Sequence, residues 1–97
     1  MKKYNIGDKI KFKEEKQRYT VRACDDRYLV CTKPFNPRKT FMYTMVDLKE
    51  GIRGRDGFIL CGGDYTNEEE ARDYIKGLRT GEAEISRRHR MPLNIEN

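Results

Sequence analysis

Lys33, Arg38 and Lys39 flank Phe35 inside Cys31-Thr32-Lys33-Pro34-Phe35-Asn36-Pro37-Arg38-Lys39-Thr40. Cations neutralise phosphate and an aromatic ring stacks on an unpaired base, so this pairing suits single-stranded nucleic acid. Two prolines around the ring set φ and reduce the entropy lost when the segment orders against a partner. A simpler role competes: Phe35 plugs the end of a small barrel, and the prolines shape a connection. Arg53-Gly54-Arg55 is a second basic site, where glycine lets backbone amides approach an anion. No G-K-[ST] follows it, so it is not a phosphate loop and reads first as a structural turn. Ser86-Arg87-Arg88-His89-Arg90 is the third, a cationic run able to lie along a phosphate backbone or on an acidic protein surface. The candidate nucleic-acid-binding residues are therefore Lys33, Phe35, Arg38, Lys39, Arg53, Arg55, Arg87, Arg88 and Arg90.

Charge segregation supports that chemistry. The 97 residues carry 21 basic and 16 acidic side chains, a net +5. Residues 1–40 hold 12 basic against 5 acidic groups, whereas residues 41–84 hold 6 against 10. A basic half of this kind steers polyanions, although it also serves solubility. Catalysis finds little support. Glu14-Glu15, Asp25-Asp26 and Glu68-Glu69-Glu70 are sequence neighbours, and none is spaced to aim two acids at one substrate. A single histidine, His89, leaves no nucleophile–base–orienter set, so no enzymatic activity and no cofactor are expected. Cys24, Cys31 and Cys61 lack the short pairing of a zinc knuckle, and no metal site is expected. The start, Met1-Lys2-Lys3-Tyr4-Asn5, has no apolar stretch, and no apolar run reaches the ~18–20 residues of a membrane span. The expectation is a cytoplasmic protein with reduced thiols and no membrane partner.

These residues need a scaffold. Lys9–Lys13 alternates, with Ile10 and Phe12 on one face and lysines on the other, the period of a half-buried strand. Arg18–Cys24 repeats it with Tyr19, Val21 and Ala23 inward; strands at about 28–33, 40–47 and 57–61 follow. Thr40–Asp47 is apolar on both faces and belongs near the middle of a sheet. Thr66 as N-cap with Glu69 three residues on, then Ala71, Tyr74, Ile75 and Leu78 on one face, and Gly81 as a left-handed stop, define a helix over about 67–80. The expected fold is α+β: a small, strongly bent antiparallel sheet or SH3-like barrel of about five strands, with one C-terminal amphipathic helix. Residues 1–84 form one domain, and 85–97 are a basic tail or an edge strand.

Gly7-Asp8-Lys9-Ile10, Arg18-Tyr19-Thr20-Val21, Cys31-Thr32-Lys33-Pro34-Phe35-Asn36-Pro37, Tyr43-Thr44-Met45-Val46-Asp47 and Ser86-Arg87-Arg88-His89-Arg90 together resemble a family of small uncharacterised proteins. That family occurs in Gram-positive bacteria and their phages or prophages. The resemblance implies a small cytoplasmic accessory protein and carries no functional residue with it. Two functions follow as expectations: a noncatalytic nucleic-acid-binding module, or a protein-interaction module that modulates a host factor. A homodimer through Thr40–Asp47 is a further structural possibility.

Overall fold

The computed structural model describes residues 3–36, 40–54, 68–85 and 87–96. Strands β1 (Lys9–Phe12), β2 (Tyr19–Cys24), β3 (Tyr28–Asn36), β4 (Thr40–Asp47) and β5 (Ile52–Gly54) come first. Helix α1 (Glu68–Thr80) follows, then a 3-10 turn at Arg87–His89 and two short strands, β6 (Met91–Pro92) and β7 (Ile95–Glu96). All pairings are antiparallel, in the order β6-β5-β4-β3-β2-β1-β7.

Both ends of that order come from one stretch of chain. Met91 and Pro92 pair with Arg53 and Ile52 of β5, while Ile95 and Glu96 pair with Phe12 and Lys11 of β1. Between them the Leu93 amide donates to Gly51 O at 2.8 Å, and Asn94 O accepts the Lys13 amide at 2.8 Å. A sheet of short strands leaves an unpaired row of amides and carbonyls at each edge. Here the sheet curls until one six-residue segment, 91–96, satisfies part of both rows. The fold is thus α+β with a curled antiparallel sheet, as expected, and the described residues alone form seven strands where about five were expected. The helix is not the last element, because the strands that bridge the sheet's edges follow it.

Each face of the sheet has its own core. Ile10, Phe12, Tyr19, Val21, Leu29, Cys31 and Val46 fill the inner side, with Leu93 and Ile95 packed against them. Ala23, Val30, Tyr43 and Met45 face the other way and receive Ala71 and Leu78 of α1 together with Ile85. This explains the continuous apolar run Leu29-Val30-Cys31: a strand buried on both faces loses its polar alternation. The alternation in β2 hides a break. Tyr19, Val21 and Ala23 are all buried, yet Ala23 belongs to the helix side, because the register slips between Val21↔Cys31 and Ala23↔Val30. The extra residue of that β-bulge, Arg22, turns the strand over, and its Nε donates to Thr32 Oγ1 at 2.9 Å.

Helix α1 buries the face its spacing marks out: Ala71 and Leu78 are buried, and Tyr74 stacks on Tyr43 with ring centroids 5.1 Å apart. Gly81 ends it at φ +85°, the left-handed conformation that favours glycine. Gly77, unfavourable in mid-helix by propensity, has a packing reason. A Cβ there would stand 3.0 Å from the Ala83 Cβ, and the Ala83 amide donates to Gly77 O at 3.0 Å. The missing side chain lets the 81–85 turn fold back onto the helix. Thr66 and the expected strand over 57–61 lie outside the described residues.

Candidate nucleic-acid interface

The β1–β2 hairpin carries Lys9, Lys11, Lys13, Glu14, Glu15, Lys16 and Arg18, a mixed charge set by sequence. The fold sorts it. Both acids turn toward Arg53: its Nη2 lies 2.8 Å from Glu14 Oε1 and 3.7 Å from Glu15 Oε2. Lys33 Nζ reaches Glu15 Oε1 at 2.7 Å, and Tyr19 OH donates to Glu15 Oε2 at 3.2 Å. The Arg53 guanidinium sits over the Phe12 ring at 4.1 Å, and Lys33 Nζ lies 5.2 Å from the Tyr19 ring centre. Arg53 is 3% exposed, so its charge requires these partners. The Arg53 hydrogen bond holds the Glu14 carboxyl below its ordinary range. Burial opposes ionisation of Glu15, but Lys33 and Arg53 outweigh it and its carboxyl too is held low. Burial, with the Glu15 charge second, pushes the Tyr19 hydroxyl up.

With Glu14 and Glu15 paired to Arg53 and Lys33, the remaining charged side chains of the hairpin are cationic. Lys9, Lys13, Lys16 and Arg18 are exposed and Lys11 is half-buried. Lys9 pairs with Thr20 and Ile10 with Tyr19, and Arg18 immediately precedes β2. Lys11 faces Glu96 on its other side, and their side chains meet at 3.0 Å. The Lys11 hydrogen bond and charge hold the Glu96 carboxyl low, with Arg18 and Lys13 adding smaller effects.

Of the nine residues singled out from sequence, the structure describes the side chains of five: Lys33, Arg53, Arg87, Arg88 and Arg90. Lys33 and Arg53, expected on an open cationic face, are tied to Glu14 and Glu15, and Arg53 is sealed from solvent. The expected turn at Arg53-Gly54 is instead part of β5. Strand β3 runs to Asn36, so Lys33, Pro34 and Phe35 are strand positions and not a loop. The register shifts between Pro34 and Asn36, which puts the Phe35 backbone at an irregularity beside a proline that cannot donate to the ladder. Arg38, Lys39 and Arg55 lie outside the described residues. Arg87 and Arg88 are exposed on the 3-10 turn; Arg90, also exposed, donates from Nη2 to Ile85 O at 3.0 Å. Lys9, Lys13, Lys16 and Arg18 are surface cations that sequence reasoning missed. Their signal was present as Lys-x-Lys-x-Lys followed by Arg18 across a short turn, but it is also the pattern of any solvated strand face.

Among the described residues, two cysteines and several acids are held by local contacts. Cys31 is fully buried and burial pushes its thiol up; Cys24 is raised by burial and then by Asp25, and its Sγ donates to Tyr4 O at 3.3 Å. An activated thiol needs the opposite shift. Asp25 and Asp26 both engage Arg79, and Asp47 takes a bidentate pair from Arg27 at 2.8 and 2.9 Å. Among the described residues no helix is long and apolar enough to cross a membrane. Comparison with protein-family models, with curated proteins and with solved structures finds no match. Fold and site define a small α+β protein with a cationic sheet margin, and the function rests on those features alone.

Proposed function

We propose that the chain is a noncatalytic accessory protein, of the phage-linked kind its motifs resemble, that binds nucleic acid through the outer side of the β1–β2 hairpin. One observation carries this reading: the fold commits Glu14 and Glu15 to Arg53 and Lys33, and leaves Lys9, Lys13, Lys16 and Arg18 outside. Like charges on neighbouring strands destabilise a sheet. Lys9, Lys11, Lys13, Lys16 and Arg18 carried together on one hairpin are an arrangement that a polyanion relieves. Arg87, Arg88 and Arg90 are also exposed, but they precede β6, which pairs with β5 and not with the hairpin. The curled sheet, of SH3-like barrel type in this reading, supplies a rigid platform.

Fluorescence anisotropy with labelled oligonucleotides across a salt series tests it. Affinity falls steeply with salt, and changing Lys9, Lys13, Lys16 and Arg18 together to Ala reduces the magnitude of the log–log slope by roughly 0.9 for each phosphate no longer neutralised. Lys33→Ala, whose cation is matched internally, leaves the slope unchanged. Absence of binding at low salt, or an unchanged slope in the fourfold variant, refutes the proposal.

A further inference from the structure

The Lys11–Glu96 pair has a feature that an ordinary surface salt bridge lacks. Lys11 pairs across the sheet with Glu96, Arg18 immediately precedes β2, and Lys13 immediately follows β1 with its amide bonded to Asn94 O. Lys11 holds the Glu96 carboxylate at 3.0 Å, and Arg18 and Lys13 favour its charged form more weakly; its side chain is 51% exposed and carried on a two-residue strand. Cations on adjacent strands repel one another, so a lone carboxylate among them marks the place where an anion is most stabilised.

We infer that the position of the Glu96 carboxylate is a phosphate subsite, occupied in the free protein by that side chain and taken over by a backbone phosphate when nucleic acid binds. This rests on the function proposed above and adds to it the mode of recognition. The rings described beside this margin, Phe12 and Tyr19, are 0% and 2% exposed and offer no stacking surface. Recognition here is by phosphate, without base preference, and a duplex serves as well as a single strand. Glu96 then acts as a competitor: it neutralises Lys11 while the site is empty and must swing aside when the site fills.

Glu96→Gln tests this, with Glu82→Gln on the exposed turn after α1 as a control of equal charge change. Glu96→Gln tightens duplex binding roughly two- to fivefold, the scale of one exposed ion pair, and Glu82→Gln does so by less. Duplexes of unrelated sequence bind alike. Titration with inorganic phosphate, followed by amide NMR shifts, moves Lys11, Lys13 and Arg18 at lower phosphate in Glu96→Gln than in the wild type. Equal effects of the two variants on binding and on phosphate titration overturn the subsite while leaving nucleic-acid binding standing. Phosphate shifts at these residues without any oligonucleotide binding retain the subsite and remove the proposed function.

Discussion

Arg53 shows how one side chain can be assigned to the wrong task by its neighbours in sequence. Between Ile52 and Gly54-Arg55 it reads as part of a basic turn, yet it lies 3% exposed between Glu14, Glu15 and the Phe12 ring. Removing one partner of a buried pair leaves the other charge uncompensated, at about 3–5 kcal/mol for full burial. Glu14 and Glu15 keep 30% and 21% side-chain exposure, and Lys33 still serves Glu15. Arg53→Met therefore lowers stability by a smaller amount, about 2–3 kcal/mol, read as a reduced urea midpoint at unchanged slope. Adding Glu14→Gln recovers part of the loss, because the orphaned carboxylate is gone, and a double-mutant cycle reports that coupling. A full additive loss in the double variant would show that Arg53 acts by packing alone.

At the scale of elements, the helix and the bulge in β2 differ in how much their local sequence reveals. The apolar spacing of α1 and its Gly81 stop are visible because helix periodicity and the left-handed cap are local properties. Gly77 is not explained locally: propensity favours alanine there by about 1 kcal/mol. The 3.0 Å approach of Ala83 opposes this, since overpacking costs about 1–3 kcal/mol where the neighbour does not yield. Gly77→Ala is thus expected to lower the thermal midpoint, and Gly77→Ala combined with Ala83→Gly to restore much of it. A Gly77→Ala protein more stable than wild type would mean that the 81–85 turn gives way freely. The β2 bulge was hidden for a related reason. Arg22 sits in unbroken alternation, and only the pairing of Ala23 with Val30 shows that the strand has turned over.

For the whole molecule, the acid response follows from carboxylates that bind distant parts of the chain together. Glu14 and Glu15 join the first hairpin to β5 and β3; Asp25 joins the β2–β3 turn to α1 through Arg79; Asp47 holds Arg27 and caps the amides of Lys49 and Glu50. All four titrate below the ordinary 4.5 of Glu or 3.8 of Asp. In Asp25 and Asp47 burial works against this, but the arginine and amide hydrogen bonds prevail. On acidification the unfolded chain takes up these protons first, so protonation favours unfolding. The folding free energy is expected to be level from neutral pH to about 5, then to fall below about pH 4.5 as the unfolded-state carboxyls protonate. Urea denaturation across that range measures it; stability that rises on acidification would contradict these ion-pair assignments.

Strand alternation in Lys9–Phe12 and Tyr19–Cys24, the central place of β4 in the sheet and the apolar face of α1 were determined by sequence alone, because each depends on side-chain spacing within a few residues. Tertiary structure decided the rest. It drew Glu14 and Glu15 onto Arg53 and Lys33, which are remote in sequence, and so turned a hairpin of mixed charge into a cationic margin. It also carried residues 91–96 across both edges of the sheet and set Glu96 beside Lys11, 85 positions away. Charge pairing over such separations depends on which strands become neighbours, and that is fixed by packing of the two cores and closure of the edges, not by any local pattern.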